Sequence, residues 1–394
     1  MYTVTFEAIP FCFGPASEAA SIAAELEHWM GEDALRLYGI GDGTTYDIFD
    51  SDDTFEECLE FDYSAPDPRP AVNDVLSESD LVLSSNSPTF VATVAPYEVD
   101  CFVVDNLHWM DDTVGDDIAA NGLADRYYMP AFPGIETVVG KQSIRSAPGT
   151  EPVMTDAIRN NRKLAAARSG NEREEGFILV NFGGIDTPLG ANEELAVAMA
   201  EEIAAVTKGS DRCEYVLLNG GGSAIRKIAD VLDGEATEID VVTETRPPEQ
   251  FLRDLAESEA ILTVPGINIM YESLYFRKKT MVLLPVTYGH QLLKYNFEEI
   301  LTGFVDISYD DFNGYETVPP NLLEEEGVNR IFAQGEAFGA DPQARRIFRD
   351  AVKEFVHDEA HGAVRMRTDS DGEPLLEFDG AAQIASDMVD YLES

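Results

Sequence analysis

The residues with the clearest capacity for chemistry lie in one stretch, ILTVPGINIMYESLYFRKKTMVLLPV, from Ile261 to Val286. It reads as an apolar strand, a Pro-Gly turn, an apolar helix and a second apolar strand. Asn268 and Glu272 interrupt the helix four positions apart, and so share one face. Ile267, Ile269, Met270, Tyr271, Leu274 and Phe276 make most of the remaining circumference apolar, which predicts burial. A buried carboxylate is costly unless it is paired or hydrogen-bonded. A ligand diol would suit Glu272, because one carboxylate accepts hydrogen bonds from two neighbouring hydroxyls. A structural ion pair with Arg277 or Lys278 would suit it equally on physical grounds alone.

Glycine-rich turns surround that stretch. NFGGIDTPLG, with Gly183 and Gly184, NGGGS, and VPGIN, with Gly266, each follow an expected strand of the second half. Glycine lets backbone amides approach a ligand, and a helix N-terminus stabilises an anion such as phosphate. One such turn is merely how a chain reverses; three on one sheet edge point to an anionic ligand.

The first half offers different groups. Asp105 ends the strand CFVVDN, with His108 and Trp109 just beyond. Asp or His suits the uptake of a substrate proton, and Trp suits stacking on a flat molecule. A strand-end Asp turn with a packed Trp is the plainer alternative. Glu18 follows the loop PFCFGPAS, which contains Gly14. It is either a candidate base or a first-turn acid that complements the helix dipole.

The elements that must position these groups alternate between strand and helix. YTVTFEAI, LRLYGI, LVLSS, CFVVDN and RYYMPAF read as strands of the first half. Helices are expected over ASEAASIAAELEHWM and near 70–78 and 88–98. FILVNF, EYVLLN, EIDVVT, AILTV, TMVLLP and FVDIS, with helices between them, read as a six-stranded doubly wound unit. The C-terminal region adds helices near 320–333 and 341–357, a hairpin at Asp371-Gly372 and the helix AAQIASDMVDYL. The fold class expected is α/β, two doubly wound Rossmann-like domains facing across a cleft, where the carboxyl ends of open sheets bind ligands. The expected domains are 1–160, a linker at 161–175, 176–340, and a C-terminal segment 341–394 that crosses back to the first domain.

Composition narrows the function classes. The 394 residues are 44% hydrophobic, enough for sizeable cores, but carry 74 acidic against 27 basic side chains for a net charge of −47. The acid is spread along the chain, as in proteins that stay hydrated in high salt, so halophilic adaptation is expected. A nucleic-acid partner is argued against, because a polyanion needs a basic footprint. No uninterrupted apolar stretch of membrane-spanning length occurs, so no stable membrane insertion and a cytoplasmic location are expected. The cysteines, Cys12, Cys58, Cys101 and Cys213, lack metal-ligand spacing and read as free thiols. In so acidic a chain the basic residues near second-unit turns, Arg226, Lys227, Arg246 and Arg253, stand out as candidates to meet a diphosphate, whereas Arg277-Lys278-Lys279 suits a helix C-terminus.

Gly266, Glu272 six residues on, the strand TMVLLPV and the following GHQLLKYN together resemble the nucleotide-sugar signature of GT-B glycosyltransferases. The resemblance is closest to the family of the bacterial N-acetylglucosaminyltransferase of peptidoglycan synthesis. It covers residues 176–306 well and the first half in outline. It implies a UDP-sugar donor, with Glu272 on the ribose hydroxyls and Gly266 and the amides after it, beside Asn268, facing the diphosphate. It also implies Gln291, next to His290, on the donor sugar, and Thr245 and Arg246 around the uracil. No metal or other cofactor is implied. The family's polar residue three after the glycine is Ile269 here, the interval from Gln291 to Asn296 is one residue longer, and the loop histidine base is missing. FCFGPASEAAS, VVDNLHW and NFGGIDTPL also resemble cytosylglucuronate synthases, which join a glucuronosyl group to a pyrimidine base.

The function expected is therefore transfer of a sugar from UDP to an unidentified acceptor, such as a pyrimidine base, with Asp105, Glu18 or His108 as base. A UDP-sugar 2-epimerase or hydrolase on the same fold, or an inactive nucleotide-sugar-binding subunit, are the alternatives.

Overall fold

The computed structural model describes residues 1–10, 13–64, 69–107, 122–132, 152–168, 177–187, 190–207, 215–220, 222–233, 239–241, 248–358 and 362–394. They form two compact units, Met1–Asn161 with Leu376–Ser394, and Arg162–Leu375.

Among its described residues the first unit is built on seven parallel strands: β1 (Tyr2–Ala8), β2 (Leu35–Gly41), β3 (Glu57–Glu60), β4 (Leu81–Ser85), β5 (Asp100–Val104), β6 (Arg126–Pro130) and β7 (Val153–Thr155). Their order is β3-β2-β1-β4-β5-β6-β7, so the winding direction reverses between β1 and β4. Helices α1 (Gly14–Met30), α2 (Thr44–Asp50), α3 (Pro70–Glu78) and α4 (Pro88–Val94) connect the strands. Val4, Phe6 and Ala8 on one face of β1, and Thr5 and Glu7 on the other, are all inaccessible to solvent, as a parallel strand covered on both faces requires. The edge strands β3 and β7 escape a reading by apolar runs. β3 is the charged tetrapeptide ECLE, and β7 is three residues long. The helix expected to reach residue 98 stops at Val94, two residues before Pro96, which has no N–H to continue it.

Among its described residues the second unit contains ten strands. They are β8 (Phe177–Asn181), β9 (Asp186–Thr187), β10 (Gly190–Ala191), β11 (Tyr215–Asn219), β12 (Ile239–Val241), β13 (Ala260–Thr263), β14 (Lys279–Val282), β15 (Leu301–Thr302), β16 (Val305–Asp306) and β17 (Arg365–Met366). Six make a parallel sheet in the order β12-β11-β8-β13-β14-β16, and β9–β10 and β15–β17 are small antiparallel pairs. The reversal here lies between β8 and β13. Its helices are α5 (Asn161–Arg168), α6 (Glu193–Thr207), α7 (Gly222–Asp233), α8 (Pro248–Glu257), α9 (Ile267–Phe276), α10 (Tyr288–Ile300), α11 (Glu324–Ala340) and α12 (Pro342–His357). The helix expected near 320–333 thus lies at 324–340.

Segment 341–394 divides between the units. Helix α12 packs on α6, where the buried Glu202 accepts from Arg345 Nε at 2.6 Å and from Arg349 Nε. Removing either arginine would leave part of a buried charge uncompensated. The chain then enters the first unit, where α13 (Gly380–Leu392) lies along α1. Ala16, Ala19, Ala20 and Ala23 of α1 and Ala381 and Ala385 of α13 are buried, and their small side chains permit a close approach. Asp387 of α13 pairs with Arg126 and accepts from Tyr128, and Tyr391 donates to Asp100.

Two basic residues of the Arg277-Lys278-Lys279 run close helix ends. Lys278 Nζ donates to Ala256 O at 2.7 Å and to Ser258 O, and Lys279 Nζ donates to Asp358 O at 2.7 Å and to Phe355 O. Lys227 pairs with Glu193 and Glu194, and Arg253 lies 4.0 Å from Glu249. Arg246 is outside the described residues.

Glu7 is a buried carboxyl within the first sheet. Tyr63 donates to its Oε1 and Ser84 Oγ to its Oε2 at 2.6 Å, yet burial pushes its pKa up to about 8. The folded state therefore holds this proton more tightly than the unfolded chain. Its stabilising contribution is complete below the ordinary value of 4.5 and is lost as pH rises through about 8. Glu7→Gln is expected to remove that group's share of the alkaline decline. Melting curves from pH 6 to 9 should show a Tm roughly several degrees less pH-dependent than wild type.

Candidate functional site

In the second unit the carboxyl edge of the sheet is organised by side chains at three strand ends. Asn181 closes β8, Asn219 closes β11 and Thr263 closes β13, and all three are buried. Asn181 Nδ2 donates to Thr263 Oγ1 at 3.1 Å, while its Oδ1 accepts from Asn219 Nδ2 and from Gly183 N, each at 3.3 Å. One amide thus ties two strand ends to the first glycine turn. Gly184 has φ +82, which L side chains rarely adopt, so this turn requires glycine. Asn181 and Asn219 were not singled out by sequence; the available signal was an Asn preceding both glycine runs.

Gly266 stands at the N-cap of α9 with extended backbone, and no side chain caps the helix. The first amides of α9 are consequently open to an anion. A Cβ on Gly266 would lie 3.3 Å from Ile269, so glycine also relieves a tight contact within its own turn. Ile269, Met270, Tyr271 and Ser273 are buried, but Ile267, Leu274 and Phe276 are only half-buried. The helix is therefore less enclosed than its composition predicts. Tyr275 and Phe276 instead join Leu164, Ala167 and Leu252 in a small separate cluster.

Glu272 is half-buried, and among the described residues it has neither an ion pair nor a hydrogen bond. Neither Arg277 nor Lys278 meets it: Lys278 is engaged with carbonyls, and Arg277 adopts the left-handed C-cap conformation at φ 53. The surrounding protein desolvates the carboxyl and raises its pKa to about 7. Asn268, one turn earlier and half-buried, also makes no side-chain hydrogen bond among the described residues.

Helix α10 follows β14, the next strand along, and begins under a cap in which Thr287 Oγ1 accepts from His290 N at 3.2 Å. His290 is buried with its Nδ1 unpartnered, and desolvation lowers its pKa to about 4, so the imidazole is neutral at pH 7. Gln291 is 3% exposed and makes no side-chain hydrogen bond among the described residues. Tyr271 of α9 packs edge-on against Phe297 of α10, which fixes the two helices together. Asn268, Glu272, His290 and Gln291 thus belong to successive βα units of one sheet edge, each with unused hydrogen-bonding capacity. Folded proteins seldom leave such groups unpaired except where something else binds.

The first unit brings together Glu18 and Asp105. Asp105 is fully committed: its Oδ1 accepts from Leu107 N at 2.9 Å, and its Oδ2 accepts from the Tyr127 hydroxyl. Glu18 is the fifth residue of α1, beyond its first turn, and is 3% exposed. The dipole-complementing acid considered from sequence is therefore not what Glu18 is. Burial raises its pKa to about 8, opposed by a hydrogen bond from Asn106 and reinforced by the charge of Asp105. Its Oε2 is buried and unpartnered.

Beside them Asn86 and Asn106 clasp each other. Asn106 N donates to Asn86 Oδ1 at 2.9 Å, and Asn86 Nδ2 donates to Asn106 Oδ1 at 2.6 Å. Gly14 opens α1, and a Cβ there would meet nothing within 4 Å. His108, Trp109, Thr245 and Arg246 lie outside the described residues. Among the described residues no helix is long and apolar enough to cross a membrane, and no group of three His, Cys, Asp or Glu side chains is arranged to hold a metal.

No protein-family model and no curated protein matches the sequence. Solved structures do match over the whole chain. The UDP-GlcNAc 2-epimerase of Methanocaldococcus jannaschii, solved with UDP-GlcNAc and UDP, superposes with TM-score 0.58 at 10% identity, covering 99% of each chain. S. aureus MnaA, solved with UDP, gives 0.56 at 12% identity, over 99% of this chain and 96% of that one. The glycotransferase of kitacinnamycin gives 0.50 at 12% identity, over 99% and 98%. At such identities the likeness is one of fold, and the chain has the GT-B fold of two Rossmann-like units.

Proposed function

We propose that this chain is a UDP-sugar enzyme that transfers the sugar to an acceptor. The observation that carries the reading is Glu272, a desolvated carboxylate without a partner among the described residues, one turn from Asn268 on the helix that Gly266 opens. Its two oxygens suit the ribose diol, and the uncapped amides of α9 suit the diphosphate. Asn268, His290 and Gln291 supply further hydrogen bonds to the diphosphate and sugar.

Glu18 acts as the base. As a carboxylate it takes the proton of the acceptor O–H or N–H while that atom bonds to the anomeric carbon. The bond from that carbon to the diphosphate oxygen breaks, and UDP leaves with the electron pair, stabilised by the amides of α9. Asp105, whose oxygens are both occupied, holds its place beside Glu18.

The adjacency of a carboxyl with pKa about 8 to a second carboxyl also fits a proton-shuttling reaction on the sugar, as in 2-epimerisation. Incubation with UDP-GlcNAc and related UDP-sugars in molar KCl separates the readings. Transfer releases UDP only with an acceptor and in equal amount to a new glycoside. Epimerisation yields a new UDP-sugar without UDP. Hydrolysis gives UDP and free sugar with no acceptor present. Absence of UDP binding would overturn all three.

A further inference from the structure

Both polar atoms of the Asn181 side chain are engaged, and its main chain takes part as well. Oδ1 accepts from Gly183 N and Asn219 Nδ2, each at 3.3 Å, and Nδ2 donates to Thr263 Oγ1 at 3.1 Å. The backbone oxygen of Asn181 accepts from Val264 N at 3.1 Å.

The direction of these bonds is set by a donor that cannot reverse. Gly183 N–H can only donate, so the atom of Asn181 facing it is Oδ1. Nδ2 therefore faces Thr263, whose hydroxyl directs its one hydrogen to Val264 O at 2.8 Å. Donation thus runs one way, from Asn219 through Asn181 and Thr263 to Val264. At its origin Asn219 Oδ1 is left buried and unpartnered.

This chain of bonds connects two glycine turns. Oδ1 holds Gly183, in the turn that follows β8. On the other side Val264 is tied to Asn181 twice, by its own N–H and, through Thr263, by its carbonyl. Pro265 and Gly266 follow at once, and α9 begins. The strands that carry these turns, β8 and β13, flank the reversal of the sheet, where open α/β sheets bind ligands.

Both turns have amides to offer. Gly184 N–H makes no hydrogen bond among the described residues, and no side chain caps the first turn of α9. The same sheet edge holds Gln291, buried and without a side-chain hydrogen bond among the described residues. Burying three polar side chains in a row is costly, and what such a network returns is rigidity. Rigidity matters where two turns must meet one anion, because ordering them on binding would subtract from affinity.

We propose that Asn181 is a positioning residue for the donor diphosphate. It holds the glycine turn after β8 and the start of α9 in one fixed relation, so that amides from both meet the same phosphates. The inference rests on the UDP-sugar reading of this site, and Asn181 itself touches no ligand.

The test compares UDP with uridine, which keeps the ribose and lacks the phosphates. Both are titrated in molar KCl, UDP by calorimetry and uridine by NMR, and each variant is also melted. Thr263→Val keeps the side chain's shape but deletes the hydroxyl that links Asn181 to Val264 O. It should weaken UDP binding by about five- to tenfold and leave uridine binding as in wild type. Asn181→Ala releases both turns and should weaken UDP by about ten- to thirtyfold, again without loss of uridine. Thr263→Ser restores a hydroxyl and should recover most of what Thr263→Val loses.

A role confined to stability would lower Tm and leave the ratio of UDP to uridine affinity unmoved. That result in folded Thr263→Val, or an equal loss for both ligands, overturns the inference. Should Asn181→Ala fail to fold, the two Thr263 variants decide the matter. Wild-type protein that binds UDP no more tightly than uridine overturns the diphosphate reading, and the positioning role with it. Wild-type protein that prefers UDP, by a ratio indifferent to Thr263→Val, overturns the positioning role alone.

Discussion

Glu272→Ala is expected to weaken UDP binding by about a hundredfold, measured by calorimetry in molar KCl. Two hydrogen bonds from ribose hydroxyls to a carboxylate are worth about 3 kcal/mol together, and 1.4 kcal/mol is a factor of ten. The estimate is at the lower end for charged acceptors because Glu272 keeps partial access to solvent. No other effect competes with it: Glu272 anchors no partner among the described residues, so its removal costs the fold little. The pH dependence has a definite sign. Only the carboxylate accepts from both hydroxyls, and its pKa in the free protein is about 7. Affinity should therefore fall as pH drops below about 7, up to tenfold per unit, and Glu272→Gln should flatten that dependence. A Glu272→Ala protein that binds UDP as wild type does would rule out the ribose assignment.

Glu18→Gln is expected to abolish most turnover while leaving UDP affinity unchanged. Loss of a positioned general base costs about two to four orders of magnitude in kcat. Glutamine is close in shape, so a loss confined to kcat cannot be assigned to a collapsed site. Because burial lifts the carboxyl to about 8, the active carboxylate form is the minor one at neutral pH. The rate should rise with pH up to about 8 and then level. Asp105→Asn should instead produce a smaller loss together with a lower apparent pKa for Glu18, since the charge that raises it is gone. Full activity in Glu18→Gln would transfer the role of base elsewhere.

The α/β architecture was legible because parallel strands buried on both faces are written as apolar runs, and FILVNF and TMVLLP are such runs. β3 and β7 were not, since ECLE and VMT carry no such run and are recruited by pairing with a neighbour. Gly266, Asn268 and Glu272 were legible as a group because they lie within two helical turns of each other. The Asn181–Asn219–Thr263 network and the Asn86–Asn106 clasp were not. Each joins residues that only parallel register brings side by side, and a lone Asn at a strand end carries no mark of its partner. Glu18 was placed at a helix start, but α1 begins two residues earlier, at Gly14, so Glu18 is its fifth residue, past the first turn and buried in the core.

The return of residues 376–394 to the first unit has a consequence for biogenesis. The second unit is continuous from Arg162 to Leu375 and can complete its contacts while the chain is still being made. The first unit cannot. Its α1 surface, lined by alanines that fit α13, stays uncovered until residues 380–392 have been added. The half synthesised first is thus completed after the second unit, and Glu18 on α1 gains its full surroundings only once residues 380–392 have been made.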